Sequence, residues 1–233
     1  MHDNVVTAFG IAVTIVAYVV SRRVFLKTRL TLLNPVFVST ITIILVLIAV
    51  GIRGEQYKPG RELMTILLGP ATVALAVPLY RQRRLLVMYW ASIAVGIVCG
   101  SLATIATVVL FARWASLDRM LVLAVAPKSV TTPVAIEIAR ILGTNMSITA
   151  VLVVSTGMVG AMIGPRILTT LRVSNPIARG VAIGTTSHAI GTAAILQEGE
   201  TQGAMSAIAM ALTAIFTAFV GPFLIPWLVG IGR

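Results

Sequence analysis

The chain has 233 residues, 58% hydrophobic and only 11% charged, a balance far from that of soluble domains. Its mean hydropathy of +1.01 requires lipid as solvent, so the sequence reads as an integral membrane protein, a single membrane domain over 1–233 with loops too short for a soluble module. A net charge of +11 excludes little by itself, but its distribution argues against nucleic acid. The basic residues sit at the ends of apolar runs, in "SRRVFLKTR" (Ser21–Arg29) and "RQRR" (Arg81–Arg84), as cytoplasmic loops of membrane proteins do.

In chain order, apolar runs near 5–20, 32–51, 63–80, 86–111, 146–165 and 203–229 each come close to the roughly 20 residues that cross a hydrocarbon core. The opening "MHDNVV" lacks a basic n-region, so the first run is expected to be a retained helix rather than a signal peptide. The 63–80 run is interrupted by Pro70 and Pro78. Two further stretches, 120–142 and 177–197, are apolar but broken at their middles. If 120–142 enters the membrane and returns, the loop holding Arg166, Arg172 and Arg179 falls on the same side as "RQRR", as the positive-inside tendency prefers. Each arm would then reach only about mid-bilayer. The expected fold is therefore all-α: about six full transmembrane helices plus two broken, re-entrant hairpins, with eight crossings as the alternative.

Aligned at a spacing of 58 residues, "AVAPKSVTTPVAI" (Ala124–Ile136) lies over "AIGTTSHAIGTAA" (Ala182–Ala194), Ser129 over Ser187. A hairpin plus one crossing is an odd number of crossings, so the two units would be inverted, a plan common among transporters. The expected organisation is scaffold helices in 1–62, a helix pair in 63–117, and repeat units in 118–175 and 176–233. A fainter third copy begins at "LLGPATVALAVP" (Leu67–Pro78).

The breaks carry the chemistry. Pro127 and Pro133 interrupt helix hydrogen bonding, and in lipid the freed backbone groups need partners, which Ser129, Thr131 and Thr132 can supply. An arm beginning near Pro133 points the positive end of its dipole at the midplane, where Lys128 adds a full charge. In the second break, Gly184 and Gly191 are expected to loosen the helix and allow close backbone approach, Thr185, Thr186, Ser187 and Thr192 supply hydroxyls, and His188 can become cationic. Such a pair of breaks suits a small anion. The plainer readings are a proline kink with hydroxyls bonded back to carbonyls, a lysine that snorkels to the interface, and a packed, hydrogen-bonded histidine. Glu137 is costly in lipid unless it pairs with Lys128 or Arg140 or carries a proton, so His188 and Glu137 are the candidates for proton coupling.

"GIVCG" (Gly96–Gly100) and "GAMIG" (Gly160–Gly164) fit close helix packing. Neither GxSxG, nor a P-loop, nor HExxH occurs, and two histidines with the lone Cys99 make neither a metal site nor an intrachain disulfide. No enzyme activity, metal or cofactor is expected.

Taken together, "LLGPATVALAVPLY", "PKSVTTPVAIEIA", "GMVGAMIGPRIL", "ARGVAIGTTSHAIGTA" and "EGETQGAMSAIAMAL" resemble the LrgB/CidB family, from about Leu63 to Leu228, with "NPVF" (Asn34–Phe37) a weaker match upstream. That family includes antiholin-like bacterial membrane proteins and the carboxy-terminal half of the plastid glycolate/glycerate translocator. The resemblance implies a multi-pass protein of the bacterial inner membrane with a small LrgA-like membrane partner, and a homodimer is expected. It carries over onto Pro127, Lys128, Ser129, Thr131, Thr132 and Pro133, and onto Gly184, Thr185, Ser187, His188, Gly191 and Thr192. Thr186 stands where alanine is commoner, and Ala194 where many members carry a basic residue. Two functions follow as expectations. One is a carrier of glycolate, glycerate, lactate or pyruvate working by alternating access. The other is a holin/antiholin-like regulator of murein hydrolase export and membrane permeability.

Overall fold

The computed structural model describes residues 2–28, 33–52, 54–66, 70 and 76–230, and among them every regular element is a helix. The chain divides into two compact units, Met1–Val77 and Pro78–Arg233.

The first unit holds α1 (His2–Thr28), α2 (Pro35–Val50) and α3 (Gly54–Ile66). Helix α1 runs past the expected boundary at residue 20 and through Arg22, Arg23 and Lys27. Long basic side chains are good helix formers, and Lys27 in the last turn complements the dipole. The basic stretch is thus the polar end of a helix, not a loop. Helix α2 starts where Asn34 accepts from the Val36 and Phe37 amides and stops at Gly51 in the left-handed conformation (φ 74°). Residues 67–69 and 71–75 of the expected 63–80 run, and with them most of the candidate third repeat copy, lie outside the described residues.

In the second unit, two short helices, α4 (Ala76–Arg81) and α5 (Arg83–Met88), precede α6 (Trp90–Trp114), so the long crossing begins at 90 rather than 86. Trp90 and Trp114, 67% and 79% exposed, bracket it like interfacial aromatic anchors, about 36 Å apart along the axis. Helices α9 (Met146–Thr170) and α11 (Glu200–Gly230) are also long and apolar enough to cross; with α1 they make four such helices among the described residues, and α2 is a shorter apolar one. This is a polytopic helical membrane protein.

The first broken stretch is α7 (Arg119–Val125), a turn, and α8 (Thr132–Ile141). It returns to the side it entered from. Thr144, just past α8, donates through Oγ1 to the Met120 carbonyl at the start of α7 (2.7 Å), and Thr149 reaches the Ala124 carbonyl (3.0 Å). Pro127 falls in the turn after α7, and Pro133 in the first turn of α8, where a missing N–H costs least.

The second stretch, α10 (Pro176–Ile195), would be about 30 Å long if straight. It is folded in two instead: Arg179 near its start bonds Glu198 just past its end (Nε–Oε2 2.8 Å). The reversal is at His188, whose backbone (φ 41°, ψ −142°) is non-helical. Gly184 and Gly191 were expected to break this helix and do not. Both sit within helical arms, where their lack of a side chain serves packing: a Cβ on Gly184 would strike the Ser206 backbone, and one on Gly191 would strike Ser187 and Ile183 of the other arm.

The two hairpins enter from opposite ends. Ile93 and Ile97 near the start of α6 pack with Met205 and Ile208 near the start of α11, where Arg81 at the end of α4 also pairs with Glu200 (3.3 Å). Arg113 donates to the Leu228 carbonyl at their ends (3.0 Å), so these helices run parallel. The first hairpin enters from the end of Arg113, and its tip packs into a core of Ile105, Val109, Val122, Val130, Ile138 and Ile225. The second enters from the end of Arg81 and packs against Ile93, Ile97, Met205 and Ile208. Hairpin plus crossing therefore occurs twice, upside down.

Candidate functional site

Both hairpins end near mid-depth, and their tips meet on α9. Ring Nε2 of His188 donates to the Val153 carbonyl (2.8 Å), since a carbonyl can only accept. Space for the ring comes from Gly157, where a Cβ would sit against the imidazole, and Gly160 and Gly164 likewise make room for Ser187 and Ile183. The "GAMIG" pattern is the seat of the second hairpin. "GIVCG" is its counterpart on α6, with Gly96 against Val181 and Gly100 against Thr185. The conformation of His188 costs a non-glycine residue about 1–3 kcal/mol; a glycine would adopt it freely but would lose the bond to Val153.

The returning arm is tied by hydroxyls to the tip and to α11. Thr192 donates to the His188 carbonyl (2.9 Å), so its contact with Ser206 (2.8 Å) takes its proton from Ser206. These links hold a buried polar tip that would otherwise be costly in an apolar interior.

A cavity of about 420 Å³ lies where the tips meet, lined by Lys128 and by Thr186 and Ser187, with Ser155 and Thr156 on the facing side of α9. The Lys128 ammonium makes no hydrogen bond or ion pair among the described residues. Thr131 stands at the N-cap of α8 but makes no side-chain cap bond, so the first amides of that helix face the tip uncapped. The Ser129 and Thr185 hydroxyls are buried without partners. Such groups are rare in folded proteins, because each costs its desolvation. Within the cavity itself, a cation without a carboxylate partner among the described residues stands beside the hydroxyls of Ser155, Thr156, Thr186 and Ser187, chemistry that suits a small anion.

Not every expected residue reaches this cavity. Lys128 and Ser187 line it, joined by Thr186. His188 and Thr192 are buried structural members of the tip, so the packed-histidine reading describes the imidazole. Thr185 lines a second cavity of about 580 Å³ between α6 and α10. Ser129, Thr131 and Thr132 stay at the first tip without lining either cavity. Glu137 is outside: it sits on the exposed face of α8 in a pair with Arg140 (Nε–Oε2 3.0 Å). Ser155 and Thr156 were missed by the sequence reading; two adjacent hydroxyls in mid-span of an apolar helix, "VVSTG", were their only signal.

Apolar helices of this length, with two hairpins packed between them, define a multi-pass helical membrane protein. The chain belongs to the LrgB-like family, whose model matches residues 14–227. It is similar to YxaC of Bacillus subtilis, an uncharacterized protein, at 38% identity over 98% of this chain and 99% of that one. It is also similar to the antiholin-like protein LrgB of the same species, at 33% identity over 95% and 96%, and to that of Bacillus mycoides, at 32% over 98% and 100%. No solved structure matches the chain.

Proposed function

We propose that the chain carries small organic anions across the membrane, 2-hydroxy monocarboxylates such as glycolate and glycerate or the related lactate and pyruvate, by alternating access around the hairpin tips. One observation supports this above the rest: Lys128 lies without an anionic partner among the described residues, in a mid-depth cavity lined by hydroxyls. A buried cation is expensive in a membrane unless something compensates it, and a carboxylate does so. In this reading the protein is a permease without enzymatic chemistry. It sits in the bacterial plasma membrane with the Arg81–Arg84 end in the cytoplasm, as a homodimer with an LrgA-like partner.

The test is uptake of labelled glycolate and pyruvate into liposomes holding the purified chain, with and without the partner. Lys128→Ala is expected to lower saturable uptake at least tenfold, the order expected when a bound anion loses its charged partner. Uptake unchanged by Lys128→Ala sinks the reading. Glu137→Gln is expected to leave uptake and its response to a pH gradient unchanged, because the Glu137–Arg140 pair is exposed and outside the cavity. His188 remains the candidate for proton coupling, and indifference of uptake to the gradient would remove that role.

The name borne by the LrgB relatives favours a second reading, and supports it more directly than it supports a carrier: a holin/antiholin-like regulator of murein hydrolase export and membrane permeability. A regulator works through its packing faces and tolerates Lys128→Ala. Autolysis and membrane leakage restored equally by Lys128→Ala and wild type in a deletion strain, with no uptake in liposomes, would decide for it.

A further inference from the structure

The cavity at the tips does not end there. It extends along α9 past Val159, Gly160, Ile163 and Gly164 to Ile167, and a smaller hollow of about 250 Å³ takes over, sharing Ile163 and Ile167 and adding Arg166, Thr170 and Leu171. Ser155 and Arg166 are about 16 Å apart along the helix axis. Arg166, like Lys128, has no carboxylate partner among the described residues. The opposite end is filled: the side chains of Val109, Val122, Val130, Val153, Ile138 and Ile225 close over the first hairpin.

We infer that this groove is the access route to the site, open at the basic end, with Arg166 as the positioning residue that draws anions toward Lys128. The inference rests on the reading of Lys128 as an anion contact and adds a side, a path and a second cation to it. Between the two charges the wall is apolar, from Val159, Ile163 and Ile167, and glycine-lined at Gly160 and Gly164. An anion there exchanges little hydration until it reaches the hydroxyls of Ser155, Thr156, Thr186 and Ser187. Like charge at both stations repels cations along the whole path. The structure is thus of a state open toward the end that carries Arg81, Arg83, Arg84 and Arg172.

Thiol labelling tests this without requiring transport. In a full-length Cys99→Ser background, Ser155→Cys and Ile163→Cys are exposed to an anionic sulfonatoethyl and a cationic trimethylammonioethyl methanethiosulfonate, from one face in intact spheroplasts and from the other in inverted vesicles. The expected result is labelling from the basic-end face, with the anionic reagent favoured about tenfold after normalisation to a free thiol, within the range of electrostatic focusing. Arg166→Gln should reduce that preference severalfold, slowing the anionic reagent and speeding the cationic one. Val151→Cys, on a 64% exposed position outside the groove, should show no charge preference. Labelling from the opposite face only, equal rates for the two reagents, or no labelling at Ser155→Cys would overturn the inference. A protein that labels as expected but takes up no carboxylate would instead overturn the carrier reading and leave the groove standing.

Discussion

Gly184→Ala is expected to destabilise the second hairpin, although alanine is the better helix former by about 0.5–1 kcal/mol. The added methyl would lie 2.8 Å from the Ser206 carbonyl carbon and 2.8 Å from its Cα, and closer still to the carbonyl oxygen. These are backbone atoms of a 31-residue helix, not the free end of a side chain, so they cannot turn aside. Relief requires the arm to lift from α11, opening the close approach of Gly180 to Gln202 and Met205 as well. Between membrane helices no hydrophobic force compensates, because lipid tails are as apolar as the interface. The net cost should fall near 1–3 kcal/mol, the usual range for overpacking. Thermal denaturation in detergent checks it, with Gly230→Ala as the control, since a Cβ there meets nothing within 4 Å. Equal melting of Gly184→Ala and wild type would mean that the arm is not seated on α11 as described.

Arg179→Leu should cost more. Arg179 is 8% exposed, and its guanidinium is nearly saturated. It donates to both Glu198 oxygens (2.8 and 2.6 Å), to the Val173 carbonyl (2.9 Å), to the Pro165 carbonyl (3.0 Å) and to Thr169 Oγ1 (3.2 Å). Removal leaves a carboxylate without its cation and takes a donor from the Val173 and Pro165 carbonyls, of which Pro165 keeps the Thr169 hydroxyl (2.9 Å). Fully buried pairs broken on one side lose about 3–5 kcal/mol. The Glu198 side chain keeps 29% exposure, so about 3 kcal/mol is the expected loss. Arg179→Lys should recover only part of it, since an ammonium cannot reproduce the planar fork. Denaturation of Arg179→Leu, Glu198→Gln and the double variant forms a cycle. The double variant should be more stable than Arg179→Leu alone; additive losses would show that the pair is not what closes the hairpin.

Much of this architecture was legible in the sequence because its signals are local. Proline positions marked the first turn, and the distribution of arginines argued for a returning segment where an uninterrupted crossing was the alternative. The second break was harder to place. Glycine is the usual helix breaker, so Gly184 and Gly191 drew the reading, whereas the chain reverses at His188, where a tertiary bond to Val153 holds a backbone that histidine rarely adopts. The division of labour at the site was hidden for the same reason. Whether a hydroxyl lines a cavity, as Thr186 does, or ties an arm to a crossing helix, as Thr192 does through Ser206, depends on the facing helix. Ser155 and Thr156 join the site only because α9 is the surface on which both tips land. The basic run after residue 20 misled because charge ends a membrane span without ending a helix.

The shortness of the hairpin arms also orders the protein's biogenesis. Helices α7 and α8 have seven and ten residues, too few to enter the bilayer as independent spans, and the tip between them carries Lys128. The translocon can release α6, α9 and α11 as stable segments, but each hairpin must wait at the interface until the crossings that seat it are present. Insertion and completion of the fold are therefore separate events. The glycine seats on α9 and the Arg179–Glu198 pair belong to the later one, so lesions there should yield a chain that is correctly threaded, fully membrane-embedded and still unfinished.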